Sequence, residues 1–391
     1  MVAGAAGAAG PLVAIRLQSG ERKTIVPGGV TRAAYSSRGY LVYGLQDGTL
    51  QAMPFDARSL EAGTPTTIAQ RIFVAPSGNT QFALSRSGSL AYVPAQPRDL
   101  MLVDRAGVEH SISGAAAVFH SPRFSPDGRF VAMDLFQSGY RDVWIQDLQQ
   151  GTRSRLSFEG DGHDPVWSPD GSRVAYVSGS FGEMRIYLRK TDGSGTAQPL
   201  LSGRSINYTG AWTPDGSQLL PVPLNPGTGF DLAMLPVKKN AVQEILMGTP
   251  YAEGYPALSS DGHWLAYVTD ESGRSEVYVR RFPEPSGRVQ VSLAGGSEPV
   301  WNRNGRELFY RASSAKGAQI MVAKVQTTPT FQVLSRTPLF QAEQYETAVP
   351  HTNYDVDPSG KRFVMVRHRG ASEIILVQNW GAQLEPEQGR R

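Results

Sequence analysis

The stretch DPVWSPDGSRVAYV, residues 164–177, sets a Pro-Asp-Gly turn between two short apolar runs. Pro169 fixes φ for the second position of a type I turn, and the short side chain of Asp170 bonds back to local backbone. Gly171 then takes the left-handed conformation that reverses the chain. Val166 and Trp167 precede the turn and Val174 and Tyr176 follow it. Short apolar runs joined by a tight turn predict a β-hairpin.

The same pattern returns as SPRFSPDGRFVAMD (121–134), TGAWTPDGSQLLPV (209–222) and YPALSSDGHWLAYV (255–268). With drift in the preceding residues, the turn glycine recurs at Gly39, Gly88, Gly128, Gly171, Gly216, Gly262, Gly305 and Gly360. A third strand follows most hairpins, as in RDVWIQDL (141–148) and SEVYVRRF (275–282), and a weaker fourth often comes after it. Four strands repeating every 40–50 residues or so are the signature of propeller blades, each burying its faces against a neighbour. The expectation is an all-β chain folded as a single β-propeller of four-stranded blades. Eight turns imply eight blades, with seven as the alternative if the irregular Gly39 or Gly88 unit is incomplete.

Composition agrees. The chain has 391 residues, of which 42 are glycine and 27 proline, as many tight turns require. No stretch has sustained helical periodicity, and no apolar run is long enough to span a bilayer. There is no cysteine, which excludes disulfides, thiolate metal sites and cysteine nucleophiles. The formal net charge of +3 is small and its Lys and Arg are dispersed, so a nucleic-acid-binding stripe is not expected. Residues 1–10 read as a flexible tail without the basic start of a secretion signal, and residues 11–391 as the propeller. LVAIRLQSGERKTIV (12–26) reads as third and fourth strands without a first and second, whereas the C-terminal NYDVDPSGKRFVMVRH and SEIILVQNW supply first, second and third. Closure by pairing Leu12–Leu17 or Lys23–Val26 with the C-terminal blade is expected, because it removes exposed sheet edges.

The repeat, an aromatic residue followed by Ser-Pro-Asp-Gly and then an apolar strand, resembles the TolB-like propeller repeat, a relative of the WD type. The succession GYLVYGLQDGTLQAMPFDARSLE (39–61), FSPDGRFVAMDLFQSGYRDVWIQDL (124–148), GGSEPVWNRNGRELFYRA (295–312) and NYDVDPSGKRFVMV (353–366) resembles the C-terminal propeller of many bacterial serine/threonine protein kinases. That resemblance covers about residues 12–380. It implies a sensor or interaction module on the extracytoplasmic side of a bacterial membrane. The sequence has no Gly-rich phosphate loop, no HRD and no DFG, so kinase activity is not part of the expectation. The chain reads as a detached or truncated propeller, without a membrane segment and expected to be a monomer.

In a propeller, the segments leading into the innermost strands converge on one mouth of the central channel. Aligned on the turns, these are GNTQF (78–82), VFHSP (118–122), DGHDP (161–165), INYTG (206–210), AEGYP (252–256), GGSEP (295–299) and PHTNY (350–354). They hold three of the six histidines, His120, His163 and His351, with the carboxylates Asp164, Glu253 and Glu298. Imidazole with carboxylate is the ligand set of zinc, manganese or iron, so these six are the candidate ligands of a divalent transition metal. Gln81, Tyr208, Tyr255 and Asn353 are candidate ligand-binding residues at the same mouth. His120 and His163, on adjacent blades, are expected to share an ion first, a carboxylate second, and His351, several blades away, last. Glu253 and Glu298 also match residues common in the kinase-attached relatives, which implies a shared structural role.

His110, His263 and His368 fall in outer or hairpin strands. No G-x-S-x-G elbow is present. The turn aspartates Asp127, Asp170, Asp215 and Asp261 are spaced as the blades are and do not face one another. Trp167, Trp212 and Trp301 occupy one blade position and are expected between blades. Two functions remain: a non-catalytic module recognising a protein, peptide or small ligand at the channel mouth, and a metal-dependent hydrolase of activated esters, lactones or phosphoesters. The first is preferred, because no decisive catalytic motif is present.

Overall fold

All eight turn glycines have the left-handed φ that the turn demands, from +68° at Gly305 to +90° at Gly88. The computed structural model describes residues 10–384 except for 46–47, 75–78, 86–87, 113, 115–116, 138–139, 180–183, 202–205, 285, 315–316 and 371–372. Nearly every element is a strand. The one helical element among the described residues is a 3₁₀ turn, Trp380–Gln383. The architecture is that of a β-propeller built largely of four-stranded antiparallel sheets.

Six of the eight hairpins open six sheets, numbered here 1 to 6. Their innermost strands are Val118–Phe124, His163–Trp167, Asn207–Trp212, Glu253–Leu258, Ser297–Trp301 and Tyr354–Val356. Each lies beside the next, and the sixth lies beside the first. The cores follow the same cycle. Ala132 and Val143 of sheet 1 pack with Val174 and Tyr176 of sheet 2. Further cores join sheets 2 and 3, 3 and 4, 4 and 5, and 5 and 6. Leu100, Val364 and Val366 of sheet 6 pack with Phe119, Phe124 and Val131 of sheet 1. The turns form a ring as well. Gly171 faces Pro126, Gly216 faces Pro169, Gly262 faces Pro214, Gly305 faces Ser260, Gly360 faces Asn302 and Gly128 faces Pro358.

The strand that completes sheet 6 differs from the one expected. Arg98–Asp104 pairs with Arg362–His368 along its whole length, and Glu109–Ser111 pairs with Arg98–Asp104. Leu12–Leu17 and Lys23–Val26 do not reach this sheet: Leu12 pairs with Val26, and the 15-residue strand Arg22–Ser36 pairs on its other edge with Tyr40–Leu45. Both N-terminal segments are thus paired with each other and with the Gly39 hairpin, in one sheet apart from the C-terminal strands.

The Gly39 and Gly88 hairpins also lie outside the cycle, so neither eight nor seven turns lie in it. The first belongs to a six-stranded sheet spanning Gly10–Ala69, and the second to a three-stranded sheet with Ile375–Gln378. These two sheets have cores of their own, one of them joining Val42, Leu50 and Ile72 to Phe82, Leu90 and Trp380. The sequence sign of this strand is DLMLVDRA (99–106): its continuous apolar run Leu100–Val103 is that of a strand buried on both faces, and Arg98–Asp104 lies inside the sheet, between Glu109–Ser111 and Arg362–His368.

Candidate functional site

Each of the first five innermost strands breaks register once, and the break always falls at the same place. It lies between His120 and Arg123, His163 and Val166, Tyr208 and Ala211, Gly254 and Ala257, and Ser297 and Val300. Four of these bulges contain proline, Pro122, Pro165, Pro256 and Pro299, which has no N–H to give to the ladder and is tolerated at bulges. The residue before each is left-handed: Ser121 (φ 50°), Asp164 (53°), Tyr255 (56°) and Glu298 (54°). Such a conformation costs about 1–3 kcal/mol in a non-glycine residue. A bulge re-aims its side chain, and here the re-aimed groups link neighbouring sheets.

Those links account for several candidates. Glu298 is fully buried; its Oε2 accepts from Arg311 Nε (2.6 Å) and its Oε1 from the Asn353 backbone N–H (2.7 Å). Asn353 Oδ1 accepts the Ser121 N–H (2.6 Å), which carries the chain of bonds from sheet 5 through 6 to 1. Thr209 Oγ1 donates to the Asp164 carbonyl. Tyr255 donates its phenol to Ala348 O (2.7 Å) and its N–H to Pro350 O (2.8 Å). Glu253 takes the Thr249 hydroxyl; burial pushes its carboxyl up, and Asp231 and Asp270 add to the shift. Gln81 lies away from the cycle, its N–H bonded to Phe73 O (2.9 Å) in the three-stranded sheet region, because its hairpin is one of the two outside the ring.

The remaining candidates converge. Asp164, buried on sheet 2, has His163 Nδ1 2.9 Å from Oδ2, His351 Nε2 3.0 Å from Oδ1 and His120 Nδ1 3.7 Å from Oδ1. The His120 and His351 rings meet edge to face with centroids 5.2 Å apart, and Tyr208 stacks on His351 at 5.8 Å. His120, Asp164 and His351 each offer one ligating atom within 4.8 Å of the other two. The expected order is thereby reversed: His351 joins His120 and Asp164, while His163 approaches through Asp164. The reason is topological. In this cycle sheet 6 adjoins sheet 1, so the last histidine in sequence is a neighbour of the first.

Asp134 and Arg141 complete the surroundings. Arg141 Nε donates to Asp134 Oδ2 (2.5 Å), and Arg141 Nη2 lies 3.0 Å from His120 Nδ1. Asp134 Oδ1 lies 3.4 Å from the same nitrogen, so Nδ1 faces a guanidinium donor and a carboxylate acceptor at once. Burial lowers the His120 pKa, against the raising influence of Asp134. Burial alone would raise Asp134, but Arg141 and His120 outweigh it and hold the carboxyl well below its usual range. Burial raises the Tyr208 phenol, and the Asp164 charge raises it further. Sequence reading passed over Asp134, although a carboxylate inside the apolar run Val131–Leu135 was a legible sign of a buried polar site.

The channel between the six innermost strands has a volume of about 450 Å³. It is lined from bulge residues, Thr209, Tyr255 and His351, to turn residues, Pro126, Pro169 and Arg303. Its charged groups are engaged. Arg123 donates to the carbonyls of Pro122 (2.8 Å) and Thr352. Asp355 accepts the Phe124 and Val356 N–H groups, both at 2.8 Å, and burial raises its carboxyl despite Arg123. Arg303 reaches across the turns to Pro126 O. Trp167, Trp212 and Trp301 take their expected places. Each indole N–H donates to the innermost strand of the preceding sheet, at Arg123 O (3.0 Å), Val166 O (3.3 Å) and Ala257 O (3.1 Å).

The profile of the TolB beta propeller domain matches residues 87–228. The chain carries a TolB-like β-propeller. A Protein TolB homolog from Chlorobium chlorochromatii is 32% identical over 111 residues, 28% of this chain and 24% of that protein. The Tol-Pal system protein TolB of Anaeromyxobacter dehalogenans is 26% identical over 106 residues, 27% of this chain and 24% of that one. The match thus spans about a quarter of the length of these curated relatives. The fold of the TolB-like propeller is similar to that of a solved structure assigned as TolB from Agrobacterium tumefaciens. The TM-score is 0.56 at 17% identity, over 71% of this chain and 99% of that one. Among the described residues no helix is long and apolar enough to cross a membrane.

Proposed function

We propose that this chain is a non-catalytic binding module that takes a segment of a partner protein at the mouth of the propeller channel. The observation that carries this reading is the channel itself. Its volume suits part of a peptide, its wall mixes apolar side chains with polar groups as a peptide requires, and Arg123 and Asp355 are both held by backbone groups rather than left free to act as acid or base. A relative named as a Tol-Pal system protein supports a protein partner over a small metabolite. The resemblance to kinase-attached propellers supports an extracytoplasmic place for the module.

The test is selection of peptides against the folded chain, followed by titration against wild type and Ala211→Trp, which fills the channel wall. Selected peptides should lose binding at least tenfold in the variant while its melting curve stays that of a folded propeller. Equal affinity for both proteins would refute a channel site. The metal-dependent hydrolase remains the second reading, favoured by one observation, the convergence of His120, Asp164 and His351. Turnover of activated esters, lactones or phosphoesters by the metal-supplemented protein, lost in His351→Ala, would put it first.

A further inference from the structure

Several carboxylates of the ring have an arginine partner. Asp134 has Arg141 at 2.5 Å, Glu298 has Arg311 at 2.6 Å, and Glu346 has Arg98 at 3.1 Å. Asp164 has only imidazoles as close neighbours. Burying a carboxylate without a directly paired guanidinium or ammonium is costly in a low-dielectric interior.

The geometry around Asp164 adds a second observation. Although His351 Nε2 lies 3.0 Å from Asp164 Oδ1, the approach lacks the direction of a hydrogen bond. Asp164 Oδ1 and both His351 nitrogens have no hydrogen-bond partner among the described residues. Lone pairs that are buried, unpartnered and converging are what a cation would complete. Two donors bound to one zinc at 2.0–2.2 Å with tetrahedral angles stand about 3.3 Å apart. The His351–Asp164 pair is near that spacing, and His120 Nδ1, 3.7 Å from Oδ1, needs only a small closure.

From this we infer a divalent transition-metal site, zinc by class, ligated by Asp164 Oδ1, His351 Nε2 and His120 Nδ1. Its remaining positions are left to solvent or to a ligand's own donor atom. Three structural features hold the ligands in place. The left-handed bulge aims Asp164; His163 Nδ1 at 2.9 Å holds its other oxygen; and Tyr208 stacks on His351. Ligation through His120 Nδ1 requires Arg141 Nη2, now 3.0 Å away, to give up that contact while Arg141 Nε keeps Asp134. The inference stands apart from the peptide-binding reading: a metal could bind whether or not the channel takes a peptide, and neither test decides the other.

Tag-free full-length protein, stripped with chelator and dialysed, is titrated with Zn²⁺ against a chromophoric competitor, and in parallel with Co²⁺. The expected result is one Zn²⁺ per chain and a visible Co²⁺ spectrum of low-coordinate type. Asp164→Asn and His351→Ala should each weaken Zn²⁺ by at least 100-fold. His163→Gln, which removes only the group orienting Asp164, should weaken it by about 10- to 100-fold. Melting curves identify any variant that fails to fold, in which case His120→Gln replaces it. No stoichiometric Zn²⁺ on the wild type, or affinity unchanged in folded Asp164→Asn and His351→Ala, would overturn the site.

Discussion

Hairpins of the same local design do two different things in this molecule. In the ring, the residue four places before the turn glycine reaches the preceding sheet: Trp212 and Trp301 are 8% and 7% exposed, and their indoles bond across. At the same position of the Gly39 hairpin stands Tyr35, which is 50% exposed. Six places before the turn, the ring has Pro122, Pro165, Pro256 and Pro299 at its bulges, whereas the Gly39 and Gly88 hairpins have Ala33 and Phe82. The turn makes a hairpin. In the ring, bulges in five of the six innermost strands and indoles in three add links between sheets. The contrast teaches that the residues before the turn carry much of the contact between neighbouring sheets of the ring.

The largest test of this contrast is truncation. Removing residues 1–26 takes strands only from the sheet of Gly10–Ala69, so the ring should keep its melting transition. Removing residues through Ser111 strips sheet 6 of Arg98–Asp104 and Glu109–Ser111 and should abolish cooperative unfolding by circular dichroism. If the shorter truncation also destroys the transition, the two regions are not separable in the way their cores suggest.

Next in size, Trp301→Ala should cost about 3–5 kcal/mol, the usual loss for a buried large aromatic. Tyr35→Ala should cost under about 1 kcal/mol, as surface substitutions do. Urea unfolding measures both, and similar costs would erase the distinction.

A smaller effect sharpens the account of the bulges. Ser121 combines a left-handed backbone with a buried hydroxyl that has no partner among the described residues. Ser121→Gly should stabilise the ring by about 1 kcal/mol, the lower part of the range for such strain. A loss of stability instead would mean that the serine side chain is needed there.

The smallest expected effect is acidic. Hydrogen bonds from Ser168 and Ser172 lower the Asp170 carboxyl to about 2, and bonds from Thr213 and Ser217 lower Asp215 to about 2. A carboxyl whose folded pKa lies below its ordinary 3.8 stabilises the fold fully above that value and loses its contribution as pH falls from about 4 to 2. The urea midpoint of Asp170→Asn should therefore lie below that of wild type at pH 5 and approach it at pH 2.5. The Gly39 and Gly88 turns, with Arg38 and Ser87 where four of the six ring turns have aspartate, should show no such acid dependence. A gap between wild type and Asp170→Asn that stays constant across this range would show that the turn aspartate is not the acid-sensitive element.

What the residues determined alone is local. A type I turn needs Pro, Asp and Gly at fixed offsets, and alternating apolar runs on either side need a partner strand. The eight hairpins, the near absence of helix and the positions of Trp167, Trp212 and Trp301 were therefore legible without coordinates. So were the histidine-bearing segments, because they sit at a constant distance from a visible turn. Only the tertiary structure decided which hairpins share a ring and which strand completes the sixth sheet. Edge pairing is made by backbone groups common to every residue, and several strands here could compete for one edge. That choice set the site. Once Arg98–Asp104 joins Arg362–His368, sheet 6 stands next to sheet 1, and His351 lies 231 positions after His120 yet 5.2 Å from it, ring to ring. Spacing along the chain holds no record of that contact, because cyclic order follows from which sheet edges pair and not from which residues are near in sequence.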